Sequence, residues 1–117
     1  MITRALIIAD PWIDKILSGE KTLEMRTRHT KIRGTIGLIR KGSGLIVGKA
    51  ELIGSHDLTG ELENSHLRHC IDYASNPGLK KYCIGWELRN VTRYTAPIPY
   101  THPLGAVIWV NTDRISQ

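Results

Sequence analysis

The segment GTIGLIRKGSGLIVGKAELIG, residues 34–54, constrains the fold more than any other stretch of the chain. Two apolar runs, Thr35 to Arg40 and Leu45 to Ile53, flank Lys41-Gly42-Ser43-Gly44. Short apolar runs around a glycine-rich loop predict a β-hairpin. Around it, further strands are short. Ile2 to Ala9 (ITRALIIA) is apolar and rich in isoleucine, as a buried strand is. KTLEMR is a second extended stretch. KYCIGWELRNVTRYTAPIPY returns to strand, with Asn90 a bulge or turn residue. LGAVIWVN is expected to be a last buried strand, with Trp109 in the core.

Two helices interrupt this pattern. Asp10-Pro11 is read as a start, with Asp10 as N-cap and Pro11 at the first helical position. Trp12, Ile13, Ile16 and Leu17 follow at helical spacing, and Gly19 ends the helix after about two turns. Leu62, His66, Leu67, Cys70 and Ile71 also have helical spacing. They predict a longer helix over roughly Glu61 to Ala74, stopped by Asn76-Pro77-Gly78. The order is therefore β-α-β-β-β-α-β-β. No βαβ repeat occurs, which argues against a doubly wound parallel sheet. The expectation is an α+β, mainly β chain: a small, mostly antiparallel β-barrel, with one short and one longer peripheral helix. The 117 residues, 41% of them hydrophobic, suit a single domain spanning 1–117.

Charge is distributed unevenly. The net charge is +5, and no acidic residue stands between Glu24 and Glu51. Arg26, Arg28, Lys31, Arg33, Arg40, Lys41 and Lys49 all fall in that interval. Such a cluster attracts phosphate or carboxylate, so an anionic partner is expected. No apolar run approaches the ~20 residues of a membrane span. ALIIA is also too short for a signal-peptide core. A cytoplasmic monomer with no membrane association is expected. Cys70 and Cys83 have no metal-binding or redox spacing and are read as reduced thiols. His66, His69 and Cys70 lie close together, but further ligands are not evident, so no metal site is assigned.

Three segments together resemble the ASCH (activating signal cointegrator homology) domain family of the PUA-like superfamily: PWIDKILSGEKTLEMR, RGTIGLIRKGSGLIVGKAELIG, and GWEL with APIPYTHPLGAVIWV. The likeness runs from the first strand to the last. It implies a cleft bordered by the short helix and the EKTLEMR strand, and the binding of RNA or a nucleotide. One branch of the family is implied to cleave RNA, and its EKT.EMR and IRKGSG segments look closer to this sequence. Another hydrolyses acetylated cytidine with a lysine, a threonine and a later glutamate. The lysine maps onto Lys21. Glu24 stands in the threonine's place, and Glu87 is only a candidate for the glutamate.

The residues themselves support a site there. Glu24 and Arg26 are two apart and share one strand face, while Leu23 and Met25 face a core. Lys21 precedes them at the start of the strand. Lys21 is assigned as acid/base or charge stabiliser, Glu24 as base or anchor for a loosely held divalent ion, and Arg26 as phosphate clamp. No cofactor is required. Arg28, Lys31, Arg33, Arg40, Lys41 and Ser43 are expected to contact RNA or nucleotide, with Trp12 and Tyr100 stacking on bases. Trp86 and Tyr82 are further aromatic candidates. The readings in order are a binding domain with ribonuclease potential, a nucleoside amidohydrolase, and a non-catalytic module for an acidic partner.

Overall fold

The computed structural model describes residues 2–115. Six strands and two short α-helices follow the expected order. They are β1 (Ile2–Ile8), α1 (Trp12–Leu17), β2 (Leu23–Arg26), β3 (Gly34–Arg40), β4 (Leu45–Asp57), α2 (His66–His69), β5 (Ile84–Pro99) and β6 (Trp109–Ile115). A 3-10 turn, Pro77–Leu79, precedes β5. The strands form one sheet in the order β2-β5-β4-β3-β1-β6. Only β1 and β3 run parallel; every other neighbour is antiparallel. The sheet is not closed by a β2–β6 ladder among the described residues, so barrel is a loose word for it.

The hairpin forms as expected, and β3 pairs with β4 from Gly34–Leu52 to Arg40–Leu45. β4 runs on to Asp57, four residues past the expected end, because β5 supplies partners as far as Asp57–Ile84. Asn90 takes a positive φ of 52° where the β4–β5 register shifts, as expected of a bulge residue.

β1 explains its own apolar sequence. Leu6 and Ile8 enter one core with Ile13, Ile16, Leu17, Leu38, Leu52 and Trp86. Ala5 and Ile7 enter another with Ile39, Ile46, Tyr94 and Val110. A strand buried on both faces has no polar alternation to show. α1 has only six residues, too few to hold a helix in water. Its stability comes from burying Ile13, Ile16 and Leu17, at about 1.5–3 kcal/mol each. Gly19, at φ +85°, ends it as the sequence predicts.

Three expectations are corrected. Asp10 does not cap α1: Pro11 holds the N-cap position without a side-chain bond, and Asp10 turns to Arg40. The long second helix shrinks to one turn, His66–His69. Side chains there satisfy the backbone instead of a helical ladder. The Ile71 N–H donates to Nδ1 of His69 at 2.9 Å, and the Ser75 N–H to Asp72 at 3.0 Å. Cys70 then takes a left-handed φ of 63°, which stops the helix. Finally, the last strand begins at Trp109, and Leu104, Val107 and Ile108 are exposed in the loop before it. Trp109 is partly buried and stacks on Trp86, with ring centroids 5.8 Å apart.

Among the described residues, no helix is long and apolar enough to cross a membrane.

Candidate functional site

The site grows from the alternation of β2. Leu23 and Met25 pack beneath Leu58, Leu62, Ile71 and Tyr73, all from the segment between β4 and β5. Glu24 and Arg26 point to the other side, and Glu24 pairs across the sheet with Trp86. Both faces of β2 are thus covered, so the charged pair is withdrawn from water. Glu24 is 6% exposed.

Arg26 spans the gap between the sheet's two halves. Its Nη2 donates to Oε2 of Glu24 and to the Ile7 carbonyl, each at 2.8 Å. The guanidinium also lies 5.4 Å from the Trp86 ring centroid. Burial strengthens the attraction within the pair at the cost of desolvating both charges, so the loss of either partner leaves an uncompensated charge.

Beside the pair opens a cavity of about 320 Å³. Glu24 and Arg26 form its charged wall. Trp12 and Tyr82 supply aromatic surface, and Ile7, Met25, Ile71, Leu79 and Val107 supply apolar surface; Lys41 stands among these lining residues as well. Volumes near 300 Å³ lie at the small end of ligand sites, and an apolar wall with a few polar groups is their usual composition.

Lys21 does not line this cavity; it lies behind it. It is 1% exposed, donates to the His69 carbonyl, and has its Nζ 5.0 Å from the Trp12 ring centroid. Burial pushes its pKa down to about 8, against which the charge of Glu24 acts in the opposite direction. His69 is itself fully buried. Its Nδ1 accepts from Ile71 N–H, so Nε2 carries the proton and donates to the Leu62 carbonyl. Burial also lowers the His69 pKa, which keeps the ring neutral. This histidine is a fastener, and the sequence offered no signal that its carbonyl would receive Lys21.

The cationic run divides. Arg40 is held by Asp10 and Asp14, with Nη2 to Asp14 Oδ1 at 2.6 Å, so its charge is compensated. Asp14 is lowered in pKa mainly by that hydrogen bond. Ser43 donates to the Arg40 carbonyl at 2.7 Å and serves the turn. Lys31 and Arg33 border a separate hollow of about 540 Å³, together with Arg4 and Thr35. Arg28 lines neither space; its carbonyl accepts from Trp86 Nε1 at 2.8 Å. Of the expected cationic rim, Lys41 alone stands at the main cavity. Tyr100 lies beside it, in an adjoining hollow that Lys41 also lines.

Glu87, the candidate for a later catalytic glutamate, is occupied elsewhere. It meets His56 at 2.9 Å, Arg89 at 3.1 Å and Arg68 at 3.7 Å. Partial burial raises its pKa, but these hydrogen bonds and charges outweigh it and leave a net lowering. Among the described residues, no group of three or more histidines, cysteines, aspartates and glutamates is placed to hold a metal ion. Ile71 was missed as a wall residue because its segment reads as helix, and Leu79 because it follows the Asn76-Pro77-Gly78 stop in irregular chain, which carries no periodic signal.

The fold and cavity define a small β-sheet domain with a recessed, partly charged cavity between a short helix and a sheet edge. The sequence matches the ASCH domain over residues 6–98, most of the chain, and the protein belongs to that family. Its fold is similar to the crystal structure of ASCH from Zymomonas mobilis, with a TM-score of 0.70 at 14% identity, covering 95% of this chain and 87% of that one. Two mutant forms of the same Zymomonas mobilis protein align with TM-scores of 0.69, again at 14% identity and over 95% of this chain, covering 88% and 90% of theirs. At that identity the likeness concerns the fold. A search of curated proteins by sequence found no match.

Proposed function

We infer that this protein binds one nucleotide unit of single-stranded RNA, or a free pyrimidine nucleotide, in the cavity between Trp12 and Arg26. The observation that carries this reading is the meeting of an aromatic wall, Trp12 and Tyr82, with a buried acceptor, Glu24, and with Lys41 in one space of about 320 Å³. A base needs a π-face to stack on and a polar group at its edge. A carboxylate accepts from the exocyclic amine of cytosine, which favours a pyrimidine bearing one. Lys41 is exposed and suited to a phosphate. Arg26 is committed to Glu24 and the Ile7 carbonyl, so it acts first by holding Glu24 in place. Lys31, Arg33 and Arg4 would guide a longer strand by charge alone. The protein acts as a monomer in this reading and requires no cofactor.

Hydrolysis of an acetylated cytidine is the second reading. It draws on Lys21, whose pKa of about 8 places a proton donor and acceptor near neutral pH. Lys21 does not line the main cavity; it borders a separate hollow with Ser18, Gly19, Thr22 and Asn90, so this reading places substrate on that side of Trp12. Cleavage of bound RNA is the remaining chemical outcome, with Glu24 as base.

The test is titration with cytidine monophosphate, uridine monophosphate and a short single-stranded RNA, followed by tryptophan fluorescence, with product analysis in the presence of magnesium or chelator. Saturable binding of cytidine monophosphate, lost in Trp12→Ala, is expected. Absence of binding by any of the three ligands overturns the reading.

A further inference from the structure

The cavity is one of two adjoining spaces. A second hollow of about 350 Å³ is lined by Ile7, Lys41, Gly42, Gly44, Tyr100, His102, Ala106 and Val107. It shares Ile7, Lys41 and Val107 with the first. We propose that this hollow is a second nucleotide subsite, so that the protein takes a dinucleotide step of RNA, with Lys41 on the phosphate joining the two units. The proposal deepens the reading of the main cavity and rests on it.

Its far wall is built, and not merely exposed chain. The His102 ring donates from Nε2 to the Ala106 carbonyl at 2.8 Å, which leaves Nδ1 as an acceptor. The Tyr100 hydroxyl donates to that nitrogen at 2.8 Å. The Tyr100 N–H donates to the Gly44 carbonyl at 3.1 Å, tying the wall to the β3–β4 turn. The two rings stand 5.7 Å apart and tilted by 56°, so the wall carries an aromatic face that needs no ordering before a base meets it.

The near wall is glycine. Gly42 and Gly44 have φ of +80° and +70°, which only glycine adopts at no cost, and no atom lies within 4 Å of where a Cβ would stand at either. The turn therefore presents backbone, with open space before it, to an incoming ribose or phosphate. Lys41 is exposed, and no hydrogen bond or ion pair within the described chain occupies its ammonium in the contacts above. A cation shared by two base-sized hollows is where a bridging phosphodiester gains most, since one charge then serves both units.

Binding of cytidine 3′-monophosphate and of cytidylyl-3′,5′-cytidine by calorimetry tests this, with wild type, Tyr100→Leu and Lys41→Gln. Tyr100→Leu keeps an apolar side chain against the neighbouring core, and Lys41→Gln alters an exposed residue, so at least one variant retains the fold. The dinucleotide should bind about tenfold more tightly than the mononucleotide in the wild type. Tyr100→Leu should remove that gain and leave mononucleotide affinity within about twofold. Lys41→Gln should weaken the dinucleotide more than the mononucleotide. Equal affinities for the two ligands in the wild type, or equal losses for both in Tyr100→Leu, overturn the second subsite while leaving the first reading intact. Failure of both ligands to bind removes the main-cavity reading and the subsite with it.

Discussion

The ammonium of Lys21 lies 5.0 Å from the centroid of the Trp12 ring, with only 1% of the residue exposed. The wall of the main cavity and the buried cation are therefore one structural unit. Whatever moves Trp12 alters the dielectric around Lys21, and the reverse.

That burial has a pH signature. The Lys21 pKa falls from its ordinary 10.5 to about 8. Between those values the unfolded chain still binds a proton that the folded chain has released, so this group raises stability as pH climbs from about 8 to about 10.5. Below pH 8 both states are protonated and the burial penalty is present in full. Urea denaturation at pH 7 and pH 10 should show wild type gaining roughly 3 kcal/mol relative to Lys21→Met. No relative gain across that range contradicts the burial of the charge.

The Glu24–Arg26 pair should respond asymmetrically to mutation. Arg26→Ala leaves a buried carboxylate without its counter-charge and also frees the Ile7 carbonyl, a loss of about 3 kcal/mol. Glu24→Gln retains an acceptor for the guanidinium and should cost less. Denaturant midpoints at a common m-value give the comparison, and equal losses would argue against a buried pair.

Trp12→Ala should weaken cytidine monophosphate by about tenfold or more, the loss of one stacking platform. Trp12→Phe should fall between, since its smaller ring keeps part of the face. Affinity that follows neither ring size nor presence would place the base elsewhere in the cavity.

Arg40 and Arg33 should differ although both lie in the same acid-free interval. Arg40→Ala breaks contacts to Asp10 and Asp14, lowers stability by no more than ~1 kcal/mol, and should leave RNA affinity unchanged. Arg33→Glu should leave the mononucleotide unaffected but weaken a longer RNA. It should also flatten that RNA's salt dependence by about 0.7 per lost phosphate contact in the log–log slope. Filter binding from low to moderate salt distinguishes them.

Much of the architecture was legible in local pattern. The hairpin at Lys41–Gly44, the Gly19 stop and the Asn90 bulge each depend on a backbone geometry that few residues supply, so sequence alone exposes them. The segment 61–74 misled because apolar spacing of three and four occurs by chance in irregular chain. There the side-chain bonds of His69 and Asp72 outcompete the helix ladder. Leu104 and Val107 misled in the same way: an apolar run reads as strand, yet both are exposed in the loop, and pairing with β1 reaches back only to the Ile108 carbonyl, which accepts from the Ile7 N–H at 2.9 Å.

The site divides along the same line. Alternation in β2 put Glu24 and Arg26 on one face and Leu23 and Met25 on the other, because side-chain direction in a strand is fixed by the backbone. The order of strands and helices, the short first helix and the glycine turn were likewise determined by the sequence itself. Tertiary structure decided which charges remain free. It brought Asp10 and Asp14 to Arg40, set Lys21 behind Trp12 against the carbonyl of a distant residue, and left Lys41 at the junction of two hollows. Counting charges along a chain cannot anticipate this, because electrostatic pairing depends on distance in space, and contacts between residues 26 or 48 positions apart exist only once the sheet has curled.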